Sequence, residues 1–133
     1  MKPLRRLTCT TLVIAWFAAS TVTAQTSIAE QQDDRVIEVL RQNGADVAKV
    51  HDIDFFLVFH AKTDAVVTAE KMRILGYEIA GIGQKPGMRE WEIHARRKMV
   101  PESQAMQATT RALQSLAESR DGYYDGWGTV GVK

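Results

Sequence analysis

Alternation of hydrophobic and polar positions predicts four β-strands in this chain. Residues 52–61 give the clearest signal, since both alternating faces are apolar: Ile53, Phe55, Leu57 and Phe59 on one, Phe56 and Val58 on the other. A strand with two apolar faces belongs in the centre of a sheet. Residues 77–83 and 89–99 are the second and third predicted strands, and the last strand follows the turn at residues 121–122.

Three other segments repeat their apolar residues at helical spacing. The first is an amphipathic helix of about four turns within residues 25–50, and the second covers residues 64–75. The third follows the third strand and ends near residue 119. Capping and breaking residues support these helices: Thr26 or Ser27 and Gly44 for the first, Thr63 and Gly76 for the second, and Pro101 at the start of the third.

The order of elements after the first helix is β-α-β-β-α-β. With right-handed crossovers, this order predicts an α+β, ferredoxin-like sandwich of a four-stranded antiparallel sheet with two helices on one face. Residues 51–133 are expected to form this domain, and residues 25–50 supply an extra N-terminal helix. The second sheet face carries Phe56 and Val58, and in one arrangement Trp127. The N-terminal helix either covers this face or leaves it open to a partner.

The first 24 residues predict a secretory signal peptide. Three basic residues precede a mostly apolar stretch at residues 7–17, and Val22-Thr23-Ala24 places small residues where a signal peptidase cleaves. The apolar stretch is shorter than the roughly 20 residues that a membrane span needs, so a retained anchor is the less favoured alternative. We expect cleavage after Ala24, a periplasmic or secreted protein, and no membrane association after cleavage.

Composition argues against several kinds of site in the mature chain. Cys9 is the only cysteine and lies in the leader, which leaves no disulfide, thiolate metal site or cysteine nucleophile. Removing the leader lowers the Lys+Arg count from 17 to 14 against 16 Asp+Glu, a formal net charge of about −2. Nucleic-acid-binding domains are usually basic. The third strand also lacks the glycines and paired aromatics of an RNA-recognition motif, so we expect no nucleic-acid partner.

Two histidines support the enzymatic alternative. His60 and His94 lie on the first and third predicted strands, which are neighbours in this topology, and Asp52, Asp54 or Glu92 could complete a zinc site with them. No HExxH-like spacing supports such a site. The favoured interpretation is therefore a protein with no catalytic residues, no metal and no cofactor. A small metal-dependent or hydrolytic enzyme that uses His60 and His94 stays as the alternative.

Residues 123–129, Tyr-Tyr-Asp-Gly-Trp-Gly-Thr, are the most specific stretch of the sequence. Two glycines and an Asp-Gly pair predict a tight turn or a bulge in the last strand. Two interpretations of Trp127 are open. It plugs one end of the core in a kinked strand, or it is a surface aromatic that anchors a partner.

Three local matches make the chain resemble the family of the regulator of ribonuclease E activity B. Residues 75–78 (Leu-Gly-Tyr-Glu) join helix to strand as in that family, and residues 104–118 share its leucine and alanine pattern. Residues 124–129 match its terminal signature residue for residue. The resemblance implies a ferredoxin-like fold and a non-catalytic protein that binds and inhibits an RNA-degrading endonuclease. The chain departs from that family in its export signal and in stopping without a long acidic tail.

Together these observations predict a non-catalytic, exported protein-binding or regulatory domain. The expected contact residues are Tyr124, Asp125 and Trp127 near the end of the chain and Phe56 and Val58 on the second sheet face. The partner is a protein of unknown identity or a second copy of the chain, and a dimeric small-ligand-binding module is a further alternative. Ribonuclease inhibition is not carried over, because export would separate this chain from a cytoplasmic nuclease.

Overall fold

The computed structural model describes residues 28–131 and confirms the predicted α+β, ferredoxin-like architecture. Its elements are α1 (Ile28–Gln42), β1 (His51–Phe59), α2 (Lys62–Ile74), β2 (Glu78–Gly83), β3 (Trp91–Met99), α3 (Ser103–Glu118) and β4 (Tyr123–Thr129). The strands form one antiparallel sheet in the order β2-β3-β1-β4. The predicted leader with its cleavage site, and the candidate caps Thr26 and Ser27, lie outside the described residues.

The central strand is β1, as its two apolar faces predict. It pairs with β3 on one side and with β4 on the other. One face of β1 packs under α2 and α3 and is almost inaccessible to solvent, with Ile53, Phe55, Leu57 and Phe59 at its surface. Burying each of these side chains contributes about 1.5–3 kcal/mol to folding. This face of β1 is therefore the middle of the core.

Two helices begin at positions that differ from the sequence prediction. Ala61 is the N-cap of α2 and makes no side-chain cap hydrogen bond, so Thr63 is not the cap. The carboxylate of Glu102 caps α3 by accepting hydrogen bonds from two backbone N–H groups of the first turn. Pro101 therefore precedes the cap and does not occupy the first helical position. Gly76 follows the end of α2 with a left-handed φ of 95°, as its C-capping role requires.

The helix α1 packs on the helical side of the sheet and does not cover the second face. Within the helical layer, α2 contacts β2 and β3, α3 contacts β4 and β1, and α1 lies against α3. Ile37 and Leu40 are the buried apolar residues of α1. No helix among residues 28–131 lies on the second face of the sheet, and none is long and apolar enough to cross a membrane.

The turn before β4 brings the backbone very close to the end of β1. A Cβ atom added to Gly122 would lie 2.6 Å from the Val58 carbonyl oxygen and 2.6 Å from Phe59 Cδ1. Only glycine fits there without a shift of backbone or core. The close approach fixes where β4 starts and hence which of its side chains reach the helices.

We expect Gly122→Ala to lower the free energy of unfolding by about 1–3 kcal/mol, because the added methyl group overpacks the site. Gly128→Ala is the matched control, since a Cβ atom at Gly128 meets nothing within 4 Å, and we expect it to change stability by no more than about 0.5 kcal/mol. Urea unfolding of both variants measures the difference. Equal stabilities would contradict this packing of the turn.

Candidate functional site

The C-terminal signature and α1 line a cleft at one edge of the sheet. β4 is an edge strand, and α1 lies beside α3 on its helical side. The cleft between them has a volume of about 420 Å³. Its lining includes Ala29, Gln32, Asp33, Arg35 and Val36 from α1 and residues 124–127 from β4. This volume lies within the range of known ligand-binding clefts.

Trp127 faces the helical side of the sheet and forms part of the cleft wall. It pairs with Phe55 of β1, packs against the core, and donates a hydrogen bond from its indole Nε1 to Asp33 Oδ1 at 2.7 Å. A buried indole N–H needs an acceptor, which α1 provides. The placement of Trp127 on the second sheet face is therefore wrong, and its packing agrees with a plug at one end of the core.

Asp33 belongs to a group of buried polar side chains beneath the cleft. Asp33 is only 3% exposed. Its second oxygen, Oδ2, has no hydrogen-bond partner among the described residues, and neither do the hydroxyl groups of Thr110 and Tyr124. These three side chains come from α1, α3 and β4, so the polar cluster that they form lies where the three elements meet.

Burial raises the pKa of two of these groups. The pKa of Asp33 lies above its ordinary value mainly because burial disfavours the charged form. The nearby Thr110 hydroxyl and the Trp127 N–H act against this rise, whereas acidic neighbours on α1 add to it. Burial also raises the pKa of the Tyr124 phenol. Burial at this site therefore opposes ionisation of Asp33.

Asp125 lies at a bulge that connects the cleft to the second sheet face. The pairing of β4 with β1 shifts at this point, and Gly126 has a left-handed φ of 108° that favours glycine. Tyr124 and Trp127 both face the helices, whereas Asp125 lines the cleft and also a small depression on the second face. Asp125 is thus the one predicted contact residue that both surfaces share.

Phe56 and Val58 lie on the second face, but they expose little apolar surface. Val58 is only 6% exposed. The half-buried ring of Phe56 stacks on the imidazole of His94, with 4.9 Å between ring centroids. The five predicted contact residues therefore fall on opposite sides of the sheet, and the structure does not bring them together as one surface.

The rest of the second face is organised by charged groups around Asp54. His94 Nε2 lies 2.8 Å and Arg96 Nε lies 3.0 Å from Asp54 Oδ1. Burial acts to raise the pKa of Asp54, but the hydrogen bonds and positive charges of His94 and Arg96 hold it below its ordinary value. This carboxylate is therefore satisfied within the fold and is not poised to act as a general base.

The two histidines of the enzymatic alternative lie apart. The strand register places His94 opposite Phe56, whereas His60 follows the end of β1 with a side chain that is 70% exposed. Its Nδ1 lies 3.9 Å from a carboxylate oxygen of Glu90. Within residues 28–131, no three His, Cys, Asp or Glu side chains are grouped to hold a metal ion. The predicted zinc arrangement does not form there.

Sequence reasoning missed Asp33 and Thr110, which lie beneath the cleft. A signal for Asp33 was present, since it shares a helical face with Ile37 and Leu40, at spacings of four and seven residues. An acid on the apolar face of a helix indicates a buried carboxyl group. Thr110 lies on a helix face between apolar residues, where threonine is unremarkable, so the sequence gives no comparable signal for it.

Comparison with known proteins agrees with the resemblance seen in the sequence. The family profile described as regulator of ribonuclease activity B matches residues 30–129. This range runs from the start of α1 to the end of β4 and so includes both walls of the cleft. No curated protein matches the chain. Because the profile covers most of the chain, the protein belongs to the regulator of ribonuclease activity B family.

Proposed function

We propose that this protein is a non-catalytic regulator that binds a protein partner in the cleft between α1 and β4. One observation carries the proposal. α1 and β4 are the first and last elements of the region that matches the family profile, and although they are far apart in sequence they form the two walls of one cleft. The family is one of regulators, and a regulator without catalytic machinery acts through contact. The terminal signature, residues 124–129, contributes its aromatic residues to this contact surface.

The lining of the cleft has the composition of a protein interface. Val36 and Trp127 are half-buried and provide an apolar centre. Gln32, Arg35 and Asp125 are exposed and provide a polar rim. An apolar centre with a polar rim is the usual anatomy of an interface, and tryptophan and arginine are common hot-spot residues. The second sheet face, by contrast, satisfies its central charges within the fold.

The predicted leader supports export as part of the proposal. A basic start, an apolar stretch and small residues before Gln25 form the pattern that secretion signals share. An exported protein meets partners outside the cytoplasm, so we propose a partner other than a cytoplasmic ribonuclease. Self-association through the second face is the competing arrangement, and Phe56 and Val58 would be its contacts.

A reporter fusion tests export. We expect alkaline phosphatase joined after Lys133 to be active in cells that express the whole chain, because this reporter needs an oxidising compartment. Deleting residues 2–24 should abolish the activity while leaving the amount of fusion protein similar. An active fusion without the leader, or an inactive one with it, would contradict export.

Trp127→Ala tests whether this side chain belongs to the fold. We expect a loss of about 3 kcal/mol in the free energy of unfolding, the lower end of the usual range because Trp127 is only half-buried. Tyr123→Ala is the matched control on the same strand, since Tyr123 is 44% exposed and its loss should have a much smaller effect. If both variants unfold alike, the plug interpretation fails.

Site-specific photo-crosslinking tests where the partner binds. A photoreactive residue at Gln32, on the cleft wall, should give a discrete protein adduct when the whole chain is expressed in its own cells. The same residue at Glu70, exposed on α2 away from the cleft, is the control and should give none. Arg35→Ala should weaken the adduct. Adducts from Glu70 alone, or from neither position, would overturn the proposed site.

A further inference from the structure

β4 is an edge of the sheet and lies beside the cleft. Within residues 28–131 it pairs with β1 and with no other strand. One row of its backbone N–H and C=O groups therefore faces away from the sheet. No backbone hydrogen bond joins residues 123–129 to a helix or loop of that range. The outer row of β4 thus keeps its capacity to pair with another strand.

Two contacts show which residues of β1 direct their backbone groups towards β4. The Thr129 hydroxyl donates to the carbonyl oxygen of Asp52 at 2.7 Å. At the other end of β1, the carbonyl oxygen of Val58 would lie 2.6 Å from a Cβ atom on Gly122, just before β4. Backbone groups along a strand point alternately to its two neighbours. The even-numbered residues of β1 therefore bond towards β4.

The strand register then identifies the outer row of β4. Gly126 and Gly128 stand opposite even-numbered residues of β1, so their backbone groups pair with β1. Trp127 and Thr129 stand opposite odd-numbered residues, so their N–H and C=O groups point away from the sheet. An added strand would bond to these two residues first.

β4 has few of the features that keep edge strands from pairing. Residues 123–129 contain no lysine and no proline. The bulge is confined to Asp125 and Gly126, so residues 127–129 are regular. A Cβ atom at Gly126 or Gly128 would meet nothing within 4 Å. A second chain can therefore approach this edge closely.

α1 runs alongside the same edge and turns the cleft into a groove that follows β4. Near its start, Asp33 meets Trp127. Near its end, Leu40 Cδ2 lies 3.8 Å from where Gly131 would carry a Cβ atom. Between these contacts the helix advances about 10.5 Å and the strand about 13 Å, so the two elements keep in step.

The opposite edge of the sheet has no such groove. α2 contacts β2 together with β3 and β1, so it lies over the sheet and not beside the edge. An edge strand flanked by a helix is suited to recognising an extended peptide. Main-chain hydrogen bonds to the edge supply affinity, and alternate side chains of the peptide supply specificity.

Arg35 adds a charge preference to the groove. It is exposed on the rim of the cleft and forms no ion pair among the described residues. The acid beside it, Asp34, is turned towards α3, where Ser103 and Gln107 donate to its carboxylate. The exposed charge that α1 presents to the groove is therefore positive, and it complements an acidic side chain.

We propose that the outer edge of β4 takes an extended segment of the partner as a fifth strand, with an acidic side chain of that segment facing Arg35. That the natural occupant belongs to a regulated protein rests on the proposed function. The edge and the groove belong to this chain alone, so they can be tested with peptides.

A display library of random peptides is the first probe, with members of about twelve residues, longer than a typical strand. Peptides selected on the full chain should carry an acidic residue at a fixed position. In the complex, amide hydrogen exchange measured by NMR should slow at Trp127 and Thr129, whereas Gly128 should change little because it already bonds to β1. A library without binders, or binders that leave Trp127 and Thr129 unprotected, would overturn the proposal.

N-methylation of the selected peptide tests strand pairing directly. Each variant of the peptide has one backbone N–H replaced by N–CH₃, and its affinity is measured by calorimetry. We expect alternate positions to lose about tenfold or more, because only every second N–H of the peptide bonds to β4. The positions between them should bind nearly as before. Losses without this period of two would exclude strand addition.

Two substitutions in α1 test the groove. Ala29→Trp should lower peptide affinity about tenfold or more, because Ala29 lines the cleft and the large ring fills it. Gln31→Trp is the matched control, since Gln31 is exposed and does not line the cleft, and its affinity should match the wild type. Equal affinities of the two variants would contradict binding between α1 and β4.

Charge reversal tests the acidic side chain. Arg35→Glu should weaken the selected peptide about threefold or more, and changing the acid of the peptide to lysine should restore binding to this variant. An unchanged affinity would remove Arg35 from the proposal.

The peptide experiments and the crosslinking in cells fail separately. If peptides pair with β4 but Gln32 gives no adduct, the proposed function fails while strand addition stands. If Gln32 gives its adduct but no peptide pairs with β4, strand addition fails while the proposed function stands.

Discussion

The hydrogen bond between Trp127 and Asp33 is the contact on which the cleft depends. It joins the last strand of the sheet to the first helix, two elements that are 94 residues apart at this point. A half-buried indole N–H without an acceptor would be destabilising, so the wall formed by β4 requires the wall formed by α1. The same bond brings a carboxyl group into a site where burial opposes its charge.

The two sides of the sheet each hold a carboxyl group, and the surroundings of these two groups differ. On the second face, Asp54 is matched by His94 and Arg96, and its pKa is lowered. Under the helices, the groups that hydrogen-bond to Asp33 are the neutral side chains of Trp127 and Thr110, and burial raises its pKa. A fully satisfied polar network makes the surrounding structure rigid. The charges at the centre of the second face are therefore satisfied within the fold, and we propose the cleft as the contact surface.

Much of the fold could be predicted because burial follows apolar periodicity. The two-sided pattern of β1 located the centre of the sheet, and Gly76 marked the end of α2. Capping was predicted less well, since Ala61 offers no side-chain group and Glu102 caps α3 with a carboxylate. Which residue caps a helix depends here on tertiary packing, and the sequence of a single segment does not reveal that packing.

The candidate site could be predicted only in part. The glycines and aromatics of residues 123–129 marked the right strand, but not which way each side chain points. A shift of one residue reverses the faces of a strand, and the bulge at Gly126 makes such a shift. Asp33 was missed because its immediate neighbours on α1 are polar, and the apolar face that it shares with Ile37 and Leu40 was not extended to it. That these residues bind a partner stays a prediction.

Hydrogen exchange of the chain in complex with its crosslinked partner tests the central claim most directly. Two segments distant in sequence, residues 28–36 and 123–129, should gain protection together, because the partner is proposed to lie between them. Residues 91–99 on β3, which carry His94 and Arg96 on the second face, should be unchanged. Protection of β3 without protection of α1 would place the partner on the opposite side of the sheet and contradict the account.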